Sequence, residues 1–170
     1  MTIETAVVPT PVGPVLLYAL GDALVGLEFA DRAARRRALE RHLRRHFGPF
    51  ETRAVRAPAG ARRRLEAYFA GDRRALTGQK VELRGTPFQL AVWRGLRRIP
   101  PGRTLSYSAL AARIARPRAV RAVGRANGSN PVALFVPCHR VIAAGGGLGG
   151  YGGGLARKQR LLELEGLTVA

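Results

Sequence analysis

The spacing of the apolar residues along this chain of 170 residues changes from a pattern typical of strands to one typical of helices. That change limits the folds that the chain can adopt. Three short apolar runs come first and are bounded by turn residues, at 2–9, 14–20 and 23–29. Runs of this kind predict strands, and here they predict a small three-stranded antiparallel sheet. Helices are expected next, one from Asp31 to about Phe47 and one from Pro58 to about Phe69.

From Thr86 onward the pattern is helical. Thr86 is a good N-cap, and Pro87 suits the first helical position. The apolar residues that follow recur at helical spacing, namely Phe88, Ala91, Val92, Gly95, Leu96 and Ile99. Ser106 is expected to cap a short helix through Ile114, and another helix should run over residues 117–128. Two short helices joined tightly suggest a helix-turn-helix, although many small helical domains share this pattern.

The stretch from 71 to 85 contains three glycines and lies between the two patterns. Such a stretch is typical of a linker. We therefore expect an α/β (α+β) protein with two domains. Residues 1–84 would form a sheet-and-helix domain with its linker, and residues 85–170 a mostly helical domain.

The formal net charge of +18 is spread unevenly. Residues 1–30 contain no lysine or arginine, whereas residues 83–162 contain fourteen and no acidic residue. This imbalance predicts a polyanion-binding C-terminal part, with nucleic acid favoured over an anionic membrane surface or simple solubility. The preference for arginine over lysine is weak evidence by itself, because GC-rich coding also produces it.

The helix predicted at residues 117–128 combines arginines with small residues. Arg118, Arg121 and Arg125 recur at i, i+3 and i+7 and so share a face. The other positions are mostly small, with Ala119, Ala122, Val123, Gly124 and Ala126. A slim helix of this kind suits close contact with DNA, including the minor groove, which is about 6 Å wide. It suits close packing on a neighbouring helix equally well, and both interpretations can hold together.

The chain contains one cysteine, Cys138, within Pro137-Cys138-His139-Arg140-Val141. A lone cysteine is most often a small buried hydrophobe. Here residues 132–136 predict a short buried strand that ends at a proline, which places the thiol at the start of a loop. His139 and Arg140 add positive potential that favours the thiolate, the reactive form. No metal site is expected, because structural zinc needs four ligands and only one Cys and three His are present.

Residues 145–154 include eight glycines. A flexible linker is the default interpretation of such a stretch. However, a helix is predicted directly after it, from Leu155 to Glu165, with Gly166 at the C-terminal cap position. A glycine-rich loop between the cysteine and a packed helix favours a second interpretation, in which backbone amides approach a flat ligand closely.

The N-terminus shows no basic segment followed by an apolar core and a cleavage site. No stretch approaches about 18 uncharged apolar residues. Neither secretion nor a membrane span is therefore indicated. We expect a cytoplasmic protein, since a free thiol persists in that compartment.

Several short motifs occur in order along the second half of the chain: Gly85-Thr86-Pro87-Phe88-Gln89, Val92-Trp93, Ile99-Pro100-Pro101-Gly102, Ser106-Tyr107, Arg121-Ala122-Val123-Gly124, Asn130-Pro131, Pro137-Cys138-His139-Arg140-Val141-Ile142 and Gly150-Tyr151. Together they resemble the O6-alkylguanine-DNA alkyltransferases, DNA repair proteins that move an alkyl group from guanine O6 to their own cysteine. The resemblance is close over residues 85–166 and implies a winged-helix-like helix-turn-helix there. Residues 1–84 match only in general plan, as a sheet domain of ribonuclease H-like form.

The resemblance implies a role for each residue of the reactive site. Cys138 matches the alkyl acceptor, His139 the histidine that activates it through a water, and Glu165 the glutamate that holds the imidazole. Tyr107 matches a tyrosine placed near the base to supply a proton to the leaving group. Asn130 matches a residue that braces the turn carrying the cysteine.

The resemblance also implies how DNA is held. Arg121 matches the arginine that enters the base stack where the damaged guanine has flipped out, and flipping is needed because O6 is unreachable inside a duplex. The other residues expected at the DNA are Arg118, Arg125, Ala122, Gly124 and Arg140. The residues expected to line the base pocket are Val141, Gly150, Tyr151 and Gly152. Ala115 stands where the helix turn of the family commonly has glycine.

The implied function is DNA repair by irreversible, single-turnover transfer to Cys138, from duplex DNA containing O6-alkylguanine. The resemblance also implies a monomer with no cofactor. The sequence leaves open whether O4-alkylthymine is a second substrate. Two other classes remain. Alkyltransferase-like proteins share the fold but lack the cysteine, which Cys138 argues against. A thiol hydrolase with a Cys-His pair would instead turn over esters or amides without DNA.

Overall fold

The computed structural model describes residues 1–169 and divides the chain into two compact units. The first unit contains residues 1–84 together with 131–135. The second contains residues 85–130 and the chain from Val136 onward. The segment 131–135, which was predicted to belong to the second domain, therefore packs with the first unit.

The first unit is built on a four-stranded sheet with the order β3-β2-β1-β4. Its strands are β1 (Thr2–Val8), β2 (Val15–Leu20), β3 (Ala23–Phe29) and β4 (Glu51–Ala54). The three antiparallel strands confirm the prediction. The fourth strand pairs parallel with β1 and was not predicted, because all four of its residues are exposed and give no alternating apolar signal.

Two helices cover this unit. Helix α1 (Ala33–Phe47) places Leu39 and Leu43 in a core with residues from the sheet, and its N-cap is Arg32 rather than the predicted Asp31. A single 3-10 turn at Pro58–Gly60 leads into α2 (Ala61–Phe69). Within residues 1–169 no helix is both long and apolar enough to cross a membrane.

The buried strand predicted at residues 132–136 is not formed. Val132 makes an isolated bridge with Leu27 of β3, and the segment is buried as expected. Leu134, however, has φ +72°, and the amide of Phe135 donates to the carbonyl of Ala133. A left-handed residue turns the backbone, so this apolar run is a tight turn rather than a continuous strand.

The second unit is mostly helical, as predicted. Its helices are α3 (Pro87–Arg97), α4 (Tyr107–Arg113), α5 (Val120–Gly128) and α6 (Leu155–Leu164). A short parallel pair, β5 (Leu105–Ser106) with β6 (Val141–Ile142), joins the start of α4 to the cysteine segment.

Local capping chemistry sets the starts of two of these helices. Thr86 and Gln89 form a reciprocal capping box at α3, and the Ser106 hydroxyl accepts from the amide of Ala109 at α4. Both starts confirm the sequence predictions. Between α4 and α5 the chain turns at Ala115, which has φ +59° and therefore occupies a backbone conformation that favours glycine.

Candidate active site and nucleic-acid surface

Cys138 begins a single 3-10 turn, Cys138–Arg140, that leads into β6. Cys138 is buried, with only 7% of its surface exposed. The Cys138 amide donates to the Val136 carbonyl at 2.8 Å, and Asn130 Nδ2 donates to the same carbonyl at 2.7 Å. Asn130 thus holds the backbone carbonyl two residues before the thiol.

His139 and Glu165 meet in the interior of the second unit, although 26 residues separate them. His139 Nε2 lies 2.9 Å from Glu165 Oε1 and 3.1 Å from Oε2. Both residues are buried. The structure therefore brings together the histidine and the glutamate that the resemblance implied.

The protonation states of this pair follow from their surroundings. Burial lowers the pKa of His139 and outweighs the nearby Glu165 carboxylate, which raises it. Burial raises the pKa of Glu165, but His139 and Arg140 outweigh that effect and leave its pKa lowered. A neutral imidazole facing an ionised carboxylate must donate through Nε2. His139 Nδ1 then carries a lone pair, and no partner among residues 1–169 bonds to it.

Arg140 differs from its predicted role at the DNA. It is buried, its Nε donates to Glu165 Oε1 at 2.7 Å, and its Nη1 donates to the Ile99 carbonyl at 2.7 Å. These contacts turn the guanidinium of Arg140 toward the interior of the second unit rather than toward solvent. We correct the prediction: Arg140 supports the glutamate, and the charge it supplies stabilises the carboxylate form.

The end of α6 positions Glu165. The helix ends at Leu164, and Glu165 is its C-cap. Gly166 has φ +88° and donates to the Glu163 carbonyl, while the Leu167 amide donates to the Leu162 carbonyl, each at 2.9 Å. These two bonds form a Schellman motif, which fixes the direction in which the Glu165 side chain leaves the helix. Gly166 thus has the capping role that the sequence predicted.

Lys158 is a site residue that sequence reasoning missed. It is completely buried on α6, and its Nζ donates to the carbonyls of Val141 and Gly150, the latter at 2.9 Å. Burial lowers its pKa to about 8, while the charge of Cys138 raises it. One signal was present: the chain has 29 basic residues and only two lysines.

Tyr107 and the glycine loop are packed together. The Tyr107 hydroxyl donates to the Gly150 carbonyl at 3.4 Å. Gly149 has φ +69°, and a Cβ there would lie 3.0 Å from Tyr107 Cε2 and 3.2 Å from the hydroxyl oxygen. Burial raises the pKa of Tyr107, so the phenol keeps its proton at neutral pH. This part of the glycine stretch is a packed wall rather than a free linker, which favours the second interpretation of it.

The remaining predicted pocket residues lie on either side of Lys158. Val141 is buried in β6 and presents its carbonyl to the ammonium group. Gly150 presents its carbonyl to the same ammonium group, and Tyr151, the next residue of the loop, is half-buried. Gly152 follows, also half-buried. Lys158 thus ties the glycine loop to the strand that follows Cys138.

The basic helix α5 has two distinct faces. Arg121 and Arg125 are exposed and lie one turn apart. Gly124 is half-buried, and a Cβ on it would lie 3.9 Å from Tyr107 Cδ1. Ala122 is half-buried as well. The small Gly124 therefore allows α5 to pack closely on α4 while the arginines face solvent. The packing interpretation of this helix is confirmed, and close contact with DNA stays a prediction.

Arg118 is exposed, but it does not share the helical face predicted for it. Helix α5 begins at Val120 with Ala119 as its N-cap, so Arg118 lies in the turn before the helix. The predicted start at residue 117 was wrong, because Pro117 and Arg118 form a separate turn, closed by the Ala119 amide on the Arg116 carbonyl, before the helix begins. The prediction that Arg118 belongs to the basic surface remains open to test.

No metal centre is formed by the described part of the chain. Among residues 1–169, no three His, Cys, Asp or Glu side chains lie close enough together to hold a metal ion.

Comparisons with known proteins cover both units. The family model "6-O-methylguanine DNA methyltransferase, DNA binding domain" matches residues 87–167, and "6-O-methylguanine DNA methyltransferase, ribonuclease-like domain" matches residues 3–83. A methylated-DNA–protein-cysteine methyltransferase of Mycobacterium tuberculosis is 45% identical over 163 residues, covering 93% of this chain and 89% of the relative. One of Salmonella typhimurium is 41% identical over 164 residues, covering 95% of each chain.

Solved structures show the same likeness. The crystal structure of Mycobacterium tuberculosis OGT in complex with DNA superposes with a TM-score of 0.77 at 42% identity, covering 97% of this chain and 92% of the other. The O6-methylguanine-DNA methyltransferase of the archaeon Pyrococcus kodakaraensis superposes with a TM-score of 0.76 at 25% identity, covering 97% and 99%.

Proposed function

The chain belongs to the family of 6-O-methylguanine DNA methyltransferases, and we propose that Cys138 is the residue that receives the methyl group. The protein repairs DNA by direct, irreversible transfer of an alkyl group from guanine O6 to a cysteine of its own. The observation that carries the assignment is the buried His139–Glu165 pair directly beside the only cysteine in the chain. A metal is not required for this chemistry, since a thiolate attacks an sp³ carbon directly.

In this proposal, His139 receives the proton of the Cys138 thiol. His139 Nδ1 is the unprotonated ring nitrogen and takes the proton from Cys138, directly or through one water. Glu165 holds Nε2–H and stabilises the imidazolium that forms. Arg140 keeps the carboxylate ionised while it does so. The base is thus oriented by a third group, as in other activated nucleophiles.

The transfer step is then a direct displacement at the alkyl carbon. The Cys138 sulfur attacks the alkyl carbon, the S–C bond forms as the C–O6 bond breaks, and the electron pair returns to the guanine. The purine accepts one proton, which we assign to the hydroxyl of Tyr107, because its raised pKa keeps it protonated until the leaving group becomes basic. The resulting thioether cannot be reversed, so each molecule acts once.

Lys158 acts in this proposal as a positioning residue. Its ammonium group joins the carbonyls of Val141 and Gly150 and so fixes the two walls expected to enclose the base. The charge coupling between Lys158 and Cys138 also favours the thiolate at pH values where the amine is protonated.

The exposed arginines of the second unit form the DNA surface of this proposal. Arg121 enters the base stack in place of the flipped guanine, and Arg118 and Arg125 contact phosphates. Ala122 and Gly124 let α5 approach the minor groove closely. The protein would act as a monomer in the cytoplasm, where the thiol stays reduced.

A stoichiometry measurement tests the proposal against its two rivals. With excess duplex containing O6-methylguanine, the protein should accept one methyl group per molecule and then stop. An alkyltransferase-like protein would bind without transfer, and a thiol hydrolase would turn over ester substrates repeatedly.

A further inference from the structure

The exposed face of α1 carries a regular row of arginines. Arg37, Arg41 and Arg45 are all exposed and follow one another at i, i+4 and i+8, on the side of the helix opposite the buried Leu39 and Leu43. We call these three residues the arginine stripe. The exposed positions beside the stripe are Ala34 and Ala38 on one side and Arg44 on the other. The two alanines are too small to shield the guanidinium groups from a surface laid along the helix.

Other basic residues of the first unit have structural roles that the arginine stripe lacks. Several are held by acids or carbonyl groups of the same unit: Arg35 by Glu28, Arg53 by Glu4, Lys80 by Asp22, Arg84 by Glu82, Arg44 by the Phe50 carbonyl and Arg64 by the Ala75 and Thr77 carbonyls. Within residues 1–169, the side chains of the arginine stripe form no such ion pair or hydrogen bond. The one acid of α1, Glu40, accepts from the hydroxyl of Tyr18.

Repulsion within the arginine stripe lowers the stability of α1, whereas only Arg45, in the last turn, complements the helix dipole. Like charges at i and i+4 repel one another on a helix surface. The first turn also contains no acid that would complement the helix dipole. A solvated surface would be more stable with neutral residues or with alternating charges. Arginine-rich coding can supply such residues anywhere, but it does not explain why three of them align on one face flanked by alanines.

We propose that the arginine stripe is a second DNA-binding surface, which contacts consecutive phosphates of duplex DNA through the N-terminal unit. An α-helix rises about 1.5 Å per residue, so the stripe spans about 12 Å. One strand of B-DNA presents a phosphate about every 3.4 Å along its axis, so three guanidinium groups can each meet a different phosphate. Binding would be independent of sequence, because phosphate contacts position a protein without reading bases.

This inference rests on the proposed function, because it takes duplex DNA as the substrate. The test is the salt dependence of binding to an unmodified duplex of about 24 base pairs, by fluorescence anisotropy between about 50 and 200 mM NaCl. The variant R37Q/R41Q/R45Q should reduce the slope of log K against log salt by on the order of 2–3, since each phosphate contact contributes about 0.9. At about 100 mM NaCl its affinity should fall about tenfold or more.

Two matched variants show whether the position of the charges matters. R63Q/R73Q/R74Q removes three exposed arginines from the same unit but none from the stripe, and its slope should change by less than about 1. R37K/R41K/R45K keeps the charge and should keep most of the slope. Equal losses in the two glutamine variants, or no loss in R37Q/R41Q/R45Q, would overturn the proposal.

Folding and the alkyl transfer reaction provide independent readouts. Because glutamine removes repulsion at i and i+4, R37Q/R41Q/R45Q should melt at the same temperature as the wild type or higher. It should also transfer the methyl group of free O6-methylguanine base at the wild-type rate. Failure of the wild type to transfer any methyl group would instead refute the proposed function.

Discussion

The Nε2 atom of His139 lies 2.9 Å from Oε1 of Glu165, and Arg140, the next residue in the chain, donates to the same oxygen at 2.7 Å. One carboxylate therefore serves two neighbouring residues of the cysteine turn. It orients the imidazole, and it neutralises a guanidinium that would otherwise be buried alone. Changes at Glu165 should affect both the reaction rate and the stability.

Glu165→Gln should slow methyl transfer without abolishing it, because Cys138 retains some intrinsic thiolate reactivity. The variant weakens the orientation and stabilisation of the base His139, so the loss should not exceed the factor of about 10²–10⁴ in rate that general base catalysis typically contributes. The variant should also destabilise the fold by about 3–5 kcal/mol, since Arg140 is left buried without its counter-charge. Single-turnover kinetics and denaturant unfolding measure the two effects. Glu163→Gln, at an exposed position of the same helix, is the control and should alter neither.

Because of Lys158, we expect the rate of methyl transfer to decline at alkaline pH. Its amine is protonated below its pKa of about 8, so its support of the thiolate and of the two carbonyls should weaken as pH rises through 8. On the acid side, the lowered pKa of His139 keeps the imidazole neutral, so transfer should persist to pH values below about 6.5.

Lys158→Met should remove the alkaline decline from the single-turnover pH profile. Lys80→Met changes the only other lysine, which is exposed in the first unit, and should leave the profile unchanged. An alkaline decline that persists in Lys158→Met would assign it to another group. The stability of the wild type should rise with pH between about 8 and 10.5, because the folded state binds fewer protons there than the unfolded state.

Arg121→Ala should slow repair of duplex DNA far more than reaction with free O6-methylguanine base. Its proposed task is to fill the gap left by the flipped guanine, and a free base leaves no gap. The comparison is between second-order rate constants on the two substrates. Arg125→Ala, one turn further along the exposed face of α5, should weaken duplex binding but slow both chemical steps little. Equal slowing on both substrates by Arg121→Ala would indicate a structural role instead.

Ala115→Gly should stabilise the protein. Ala115 is exposed at φ +59°, where a Cβ is strained, and the amides of Ala115 and Arg116 already close the end of α4 on the carbonyls of Ala112 and Ala111. Glycine relieves the strain, for a gain of about 0.5–1 kcal/mol and a rise in Tm of about 1–4 °C. Ala112→Gly, at an exposed helical position, should instead destabilise by about 0.5–1 kcal/mol. If Ala115→Gly and Ala112→Gly changed the Tm by the same amount in the same direction, the strain at Ala115 would be refuted.

Elements specified by neighbouring residues could be predicted from the sequence. The starts of α3 and α4 depend on Thr86 and Ser106, each of which bonds an amide three residues away. The end of α6 depends on Gly166 in the same local manner. The three apolar strands were also found, because their period is visible over a few residues. The family resemblance supplied the pairing of His139 with Glu165, which no local pattern contains.

Features that depend on distant partners could not be predicted. Strand β4 has no apolar alternation and forms by pairing with β1, about fifty residues earlier. The 132–136 segment looked like a strand because its burial makes it uniformly apolar, yet Leu134 turns the chain. Arg140 looked like a DNA contact until the fold placed Glu165 beside it. Lys158 gave a compositional signal only, and its partners are backbone carbonyls that carry no sequence signature.

The most direct test of the central claim is to find where the methyl group goes. The protein would be incubated with excess duplex carrying isotopically labelled O6-methylguanine, followed by mass spectrometry of the intact chain and of its peptides. The account predicts one added methyl group per molecule, located on Cys138, and none in Cys138→Ala, which should still bind duplex DNA through its arginines. A label on any other residue, or continued demethylation by Cys138→Ala, would contradict it.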